Sequence, residues 1–88
     1  MLFAVDVRVV LKKGILDAEA ETVRKSLNLL GIDVMGVETA KVYTLLIESE
    51  EAKMAERIAE EACNKLLANP VINDFEIEVR NGQYHASG

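Results

Sequence analysis

The chain has 88 residues, of which 28% are charged and 50% are apolar, and its formal net charge at pH 7 is −5. This length predicts one small domain with a thin core, because domains of this size bury only about 60–65% of their unfolded surface. The acidic balance disfavours a nucleic-acid partner, and no apolar run is long enough to span a membrane.

The N-terminal stretch predicts a strand rather than a targeting signal. Asp6 and Arg8 interrupt its apolar residues, which is not the layout of a signal peptide. Residues 1–12 alternate as a strand does, and one face of that strand is apolar: Phe3, Val5, Val7, Val9 and Leu11. The single cysteine excludes an internal disulfide and favours a reducing compartment, so we expect a cytoplasmic protein.

A helix is predicted after the loop that contains Lys13 and Gly14. Asp17 is suited to its first position, because its carboxylate can accept hydrogen bonds from the N–H groups of the first turn. Apolar residues then recur at helical spacing: Ala20, Val23, Leu27 and Leu30. Gly31 follows where a left-handed residue often ends a helix.

Two further strands and a second helix are predicted in the middle of the chain. Residues 34–38 and 41–48 have the composition of strands, and their short separation predicts a hairpin. Residues from about 50 to 68 carry a narrow apolar stripe at helical spacing, which predicts a helix. Asn69-Pro70 ends that helix, because proline disfavours helical geometry in the residue before it.

The last predicted strand covers residues 74–80, where apolar and charged residues alternate. Residues 81–88 show no periodicity and are predicted to be a flexible tail, so the single domain covers residues 1–80. The order strand, helix, strand, strand, helix, strand predicts an α+β fold, the ferredoxin-like sandwich. In that fold, two helices cover one face of an antiparallel four-stranded sheet.

The sheet face without helices is predicted to carry apolar side chains, Ala4 among them. Such a face holds more apolar surface than water usually wets, so we expect a second copy of the chain to cover it. The predicted oligomer interface consists of four residues: Val10, Val42, Thr44 and Leu46.

Residues able to perform chemistry are scarce. Cys63 lies beside the apolar stripe of the second helix and is expected to be a packed, inert thiol. His85 is the only histidine and lies in the predicted tail, where it cannot complete a metal site alone. The carboxylates fall on solvated faces. We therefore predict no catalytic, cofactor-binding or metal-binding residue in this chain.

The loop Lys12-Lys13-Gly14 is the best candidate for an anion site, because it precedes a helix N-terminus. A solvated loop capped internally by Asp17 explains the same residues. No Walker or dinucleotide-binding motif accompanies it. The residues alone thus indicate a binding or assembly module.

Two segments resemble one protein family. Residues 11–17, LKKGILD, resemble the family segment "LKxGVLDP", and residues 66–76, LLANPVINDFE, resemble "LLANPVIEDYE". Leu30-Gly31 and Lys41 fall in matching places. The resemblance covers about residues 2–80 and is to the small PurS-type subunit of phosphoribosylformylglycinamidine synthase. Ala18 departs from the family, which often has proline there, and so does Ala40, where glycine is frequent.

The resemblance implies a ferredoxin-like fold, a dimer, and an adaptor without catalytic machinery. Such subunits join a large synthetase subunit, which uses ATP and magnesium, to a glutaminase subunit. The complex converts formylglycinamide ribonucleotide, glutamine and ATP into formylglycinamidine ribonucleotide, glutamate, ADP and phosphate. Ammonia passes internally from the glutaminase to the synthetase. The small subunit itself binds no cofactor.

The matching positions imply the residues used for assembly: Lys13, Gly14, Asp17, Lys41, Asn69 and Pro70. Two other functions remain open on the same strand–helix order. An ACT-like module that senses a small ligand would explain Gly14, although it predicts no counterpart of Asn69-Pro70. An acylphosphatase-like enzyme needs an arginine in the loop after the first strand, and residues 12–17 contain none.

Overall fold

The computed structural model describes residues 1–80, so the predicted tail at 81–88 and His85 lie outside the described residues. Its elements, in chain order, are β1 (Leu2–Leu11), α1 (Ala18–Leu29), β2 (Lys41–Glu48), α2 (Ala52–Ala62), a π-helical turn (Cys63–Leu67) and β3 (Asn73–Arg80). The three strands form one sheet in the order β2-β1-β3, and both outer strands run antiparallel to β1. The chain therefore has an α+β fold.

The fourth strand that was predicted at residues 34–38 is absent from the described part of the chain, and so is its hairpin. The local hydrogen bonds explain the difference. The Val34 N–H donates to Oδ1 of Asn28 at 3.0 Å, and the Ile32 N–H donates to the Leu27 carbonyl at 2.9 Å. These bonds tie the segment to the end of α1, and Gly36 weakens its strand propensity further.

One helix covers the sheet. α2 packs across all three strands, and its sheet-facing residues Ala55 and Ala59 are fully buried. Side chains this small allow the helix backbone to approach the strands closely. The core consists of these two alanines, Cys63, Ala68 and the alternating residues of the central strand: Phe3, Val5, Val7 and Val9. The alternation predicted for β1 is thus confirmed.

The helix α1 begins and ends as predicted, but it does not lie on the sheet. Asp17 caps α1 as expected, and Gly31 adopts φ +82° just after its end. Yet Ala20 is the one buried residue of α1, and the helix makes at most marginal contact with the other elements. The prediction that two helices cover one sheet face is therefore wrong for α1. No helix within residues 1–80 is long and apolar enough to cross a membrane.

Candidate assembly surfaces

At one end of the sheet, β1 ends and both β2 and β3 begin. Val9 of β1 lies opposite Lys41, where β2 begins, and Leu11 lies opposite Asn73, where β3 begins. Because both pairings are antiparallel, the loops that carry five of the predicted assembly residues lie at this end, where the sixth, Lys41, begins β2. We call it the junction end.

Asp17, at the start of the long connection between β1 and β2, forms a hydrogen bond with Thr39 near the end of that connection. Its Oδ1 accepts a hydrogen bond from the Ala20 N–H at 2.9 Å, and its Oδ2 accepts one from the Thr39 hydroxyl. These hydrogen bonds, the one from Thr39 first, lower the pKa of the Asp17 carboxyl. Sequence reasoning missed Thr39, because no local pattern relates two residues that lie 22 positions apart.

Lys13 and Gly14 form a tight turn that the Ile15 N–H closes by donating to the Lys12 carbonyl at 3.0 Å. Gly14 has φ +90°, a conformation that favours glycine, although a Cβ there would meet no other atom within 4 Å. Lys13 is exposed. The backbone conformation, rather than a crowded site, therefore requires the glycine.

A groove of about 470 Å³ lies beside this turn and carries charges of both signs. Arg8 and Lys12 line it, but they also pair with carboxylates of β3, Arg8 with Glu76 at 3.7 Å and Lys12 with Asp74 at 3.6 Å. Glu38 lines the same groove. This mixture of charges gives little preference for an anion.

Asn69 and Pro70 form a hydrogen-bonded corner before β3. Asn69 Oδ1 accepts from the Val71 N–H at 2.9 Å, which is the Asx-turn arrangement. The Asn69 N–H donates to Asn73 Oδ1 at 2.8 Å, and the Asn73 N–H donates to the Asn69 carbonyl at 2.7 Å. Asn73 was not predicted as a site residue, although its spacing of four from Asn69 is a signal that could have found it.

The corner is also joined to β1. Asn73 Nδ2 donates to the Val10 carbonyl at 3.3 Å, and the Lys12 N–H donates to the Ile72 carbonyl at 2.8 Å. Several apolar side chains of these loops remain exposed: Ile15, Leu16, Leu66, Val71 and Ile72. The junction end is thus an internally bonded surface with apolar side chains directed to solvent.

Lys41 lies apart from the other five predicted residues. It is exposed at the start of β2, an edge strand of the described sheet, and its ammonium lies 5.8 Å from the centre of the Tyr43 ring. This geometry fits a weak cation–π contact. The structure therefore places Lys41 at the junction end without linking it to the corner.

The sheet face opposite α2, which we call the outer face, carries polar side chains beside apolar ones. Asp6 accepts hydrogen bonds from the Thr44 hydroxyl at 2.7 Å and from Arg80 Nη2 at 3.0 Å. Ala4, expected to be exposed, is only 2% exposed, and its cross-strand neighbours are Leu46 and Arg80. The polar hydrogen bonds and ion pairs occupy the middle of this face.

Of the predicted interface residues, Val42 and Leu46 are exposed on β2, and Val10 is half-buried. Thr44 lies between the two exposed residues and directs its hydroxyl to Asp6. The apolar surface of the outer face is therefore confined largely to one edge, and its role as an oligomer interface stays a prediction.

Cys63 is 0% exposed, and this burial, with Glu60 nearby, raises the pKa of its thiol. The thiolate is the reactive form, so a buried thiol with a raised pKa is a poor nucleophile. The prediction of a packed thiol is confirmed. Nowhere in residues 1–80 do three histidine, cysteine or carboxylate side chains gather closely enough to hold a metal ion.

The sequence model of the family PurS, described as phosphoribosylformylglycinamidine (FGAM) synthase, matches residues 4–81. The chain belongs to the PurS family. The PurS subunit of Methanothermobacter thermautotrophicus is 40% identical over 79 residues, which cover 90% of this chain and 94% of that protein. The PurS subunit of Methanocaldococcus jannaschii is 42% identical over 79 residues, which cover 89% of this chain and 95% of that protein.

Solved PurS structures have the same fold. The crystal structure of Methanocaldococcus jannaschii PurS superposes with a TM-score of 0.82 at 42% identity, covering 89% of this chain and 95% of that one. A chain in the structure of PurLQS from Thermotoga maritima superposes with a TM-score of 0.84 at 27% identity, covering 91% and 99%. The resemblance is thus confirmed, and the alternative of an ACT-like sensing module is not supported.

Proposed function

We propose that this chain is the non-catalytic small subunit of FGAM synthase, in the biosynthesis of purines. The observation that carries the proposal is the family match over residues 4–81, together with the likeness to nearly the whole length of a PurLQS chain. In the complex, the chain joins a large ATP-dependent synthetase subunit to a glutaminase subunit. The location is the cytoplasm.

The complex performs an amide-to-amidine conversion. The glutaminase hydrolyses glutamine to glutamate and ammonia, and the synthetase uses ATP and magnesium to activate the amide oxygen of formylglycinamide ribonucleotide. Ammonia then replaces that oxygen, giving formylglycinamidine ribonucleotide, ADP and phosphate. This chain contributes binding surfaces to the complex and no reacting group. Its one thiol is buried in the core, and its exposed loops at the junction end are held by hydrogen bonds.

The junction end is the surface that we propose faces the large subunit. Five of its six predicted assembly residues lie on loops, and hydrogen bonds join these loops to β1 and to the segment before β2, so the loops are ordered before binding. A preformed surface loses less conformational freedom on association than a flexible one. Two copies of the chain act together, as the family resemblance implies.

Reconstitution with the two other subunits from the same organism tests this function. We expect glutamine-dependent formation of formylglycinamidine ribonucleotide only when all three proteins are present, and no synthase or glutaminase activity from this chain alone. A complex that is equally active without this chain would contradict the proposal.

A matched substitution tests the claim that the chain is non-catalytic. Cys63→Ala keeps a small apolar side chain in the core and should leave turnover of the reconstituted complex within a few-fold. A loss of about a thousandfold, the size expected when a catalytic group is removed, would assign chemistry to this thiol.

A further inference from the structure

The strand β3 lies at one edge of the sheet and has an unpaired side. It pairs with β1 along its whole length, and no strand within residues 1–80 pairs with its other side. An edge strand presents N–H and C=O groups to which a further strand can bind. We call the unpaired side of β3 the β3 edge, and its side chains determine which kind of segment fits there.

The pairing of β1 with β3 determines which backbone groups are free. Just before β3, the Lys12 N–H donates to the Ile72 carbonyl at 2.8 Å, so these two residues form a hydrogen-bonded pair that continues the register of the strands. In an antiparallel ladder such pairs recur at every second residue. The even-numbered residues of β3 thus direct their backbone groups to β1. The odd-numbered residues direct theirs to the β3 edge: Phe75, Ile77 and Val79.

The side chains of β3 differ between the two faces of the sheet. On the side of α2 they are apolar and pack against the core, yet they are only half-buried: Phe75, Ile77 and Val79. On the outer face they are exposed, and three of them form an acidic row: Asp74, Glu76 and Glu78. A strand added at the β3 edge would place its own alternate side chains beside these two rows. It would bury the apolar row further and meet the acidic row.

The carboxylates of the acidic row remain accessible to a partner. Glu76 pairs with Arg8 at 3.7 Å and Asp74 pairs with Lys12 at 3.6 Å, but the two acidic side chains are still 74% and 64% exposed. Ion pairs this exposed contribute little. Both cations lie on the β1 side of β3, so a strand at the β3 edge meets the carboxylates first. Basic residues on that strand would have Cβ atoms about 5 Å from those of the acidic row.

The other edge of the described sheet has different chemistry. The middle of β2 carries no charged side chain on the outer face, where its residues are Val42, Thr44 and Leu46. At the β3 edge, by contrast, pairing with the β3 of another copy would place two acidic rows side by side, which is destabilising. The β3 edge therefore disfavours a second copy of this strand. It favours an extended segment with basic residues on one face and apolar residues on the other.

We propose that the β3 edge binds such a segment of the large synthetase subunit as an added strand. β3 begins shortly after the Asn69-Pro70 corner, so its edge is continuous with the junction end, the surface proposed to face that subunit. In this mode of recognition, main-chain hydrogen bonds provide affinity and alternate side chains provide specificity. The inference rests on the proposed function, and it specifies the conformation and the charge of the partner segment.

Hydrogen exchange distinguishes an added strand from contacts made by side chains alone. Exchange takes place in the complex with the large subunit, and the amides are read by NMR of this chain after dissociation. The N–H groups of Phe75, Ile77 and Val79 should exchange about tenfold more slowly or less in the complex, whereas those of Glu76 and Glu78, already bonded to β1, should change less. Unchanged exchange of the three edge amides in a complex that forms would overturn the proposal.

A charge reversal tests the acidic row. Glu76→Lys/Glu78→Lys should weaken binding to the large subunit about tenfold or more, because each lysine would face a basic residue of the added strand. The control Glu56→Lys/Glu60→Lys makes the same change in net charge at exposed positions of α2 and should bind as the parent does. Circular dichroism checks that each variant is folded. Equal binding by the two double variants would contradict a contact with the acidic row.

The same exchange measurement with the glutaminase subunit identifies the partner. Slower exchange of the edge amides with the glutaminase, and not with the large subunit, would overturn the assignment. The exchange measurement uses the unmodified chain, so it decides the matter even if the charge-reversed variant does not fold. An active complex of all three proteins in which the edge amides exchange as in the free chain would refute the added strand and leave the proposed function intact. Absence of any binding to the large subunit would refute both.

Discussion

The two helices of this chain contrast in what they bury. α2 presents small residues to the sheet, and its Ala55 and Ala59 are fully buried, as is Cys63 directly after it. α1 carries larger apolar residues at equally good helical spacing, yet its stripe residues Val23 and Leu30 remain exposed. An amphipathic pattern therefore identifies a helix and its apolar face, but it does not say whether the surface that covers this face belongs to the same chain.

The largest effect should come from the core beneath α2. Phe3 is buried in β1 against this layer, and Phe3→Ala should cost about 3–5 kcal/mol of unfolding free energy through lost burial and the cavity left behind. Leu29→Ala, on the exposed face of α1, should change stability by less than about 0.5 kcal/mol. Urea unfolding measures the loss of unfolding free energy in both variants. Similar losses at the two sites would contradict the difference in burial between the core and α1.

An identical substitution in each helix sharpens the comparison. Ala59→Leu inserts a larger side chain into the fully buried contact between α2 and the sheet, and it should cost about 1–3 kcal/mol through overpacking. Ala18→Leu places the same side chain at an exposed position in the first turn of α1 and should be nearly neutral. Thermal unfolding of the pair decides the matter, and equal shifts of Tm would show that α1 is packed as tightly as α2.

The corner at Asn69-Pro70 tests whether the junction end serves the fold or the assembly. Pro70→Ala should cost about 0.4–1 kcal/mol through a freer unfolded chain. Asn69→Ala removes the acceptor of the Val71 N–H and should weaken binding to the large subunit more than it lowers stability. A pull-down with the large subunit measures binding, and thermal unfolding measures stability. If Asn69→Ala binds the large subunit as tightly as the parent, the corner serves the fold and not the assembly.

The smallest effect concerns the hydrogen bonds of Asp17 and depends on pH. The hydrogen bonds from Thr39 and from the Ala20 N–H hold the pKa of Asp17 below its ordinary value of 3.8. Because the folded-state pKa is the lower one, this contribution to stability is complete above the ordinary value and is lost as the pH falls through the folded value. Thr39→Val should raise the pKa of Asp17 towards 3.8, and an NMR titration of the carboxyl that gives the same pKa in parent and variant would contradict this.

Local rules explain which elements could be predicted. The alternation of β1, the cap at Asp17 and the strand Lys41–Glu48 depend on neighbouring residues, and the structure has all three. Residues 34–38 had the composition of a strand but no partner strand, and the Asn28 side chain bonds one of their N–H groups instead. The location of α1 depends on surfaces that no window of the sequence contains.

The candidate site also combines features that the strand topology determines with contacts that only the tertiary structure shows. Loops that follow β1 and precede β2 and β3 must meet at one end of an antiparallel sheet, so the grouping of Gly14, Asp17 and Asn69 follows from the topology. The contact of Asp17 with Thr39 and the contact of Asn73 with Val10 depend on how the loops fold back. Those contacts join residues that are distant in sequence, and only the tertiary structure identifies them.

Cys63 has a practical consequence beyond its role in the core. It is the single cysteine of the chain and is buried in the core directly after α2, so a thiol-labelling reagent can reach it only when the core opens. The rate at which the unmodified protein takes up the label therefore measures how often the core opens.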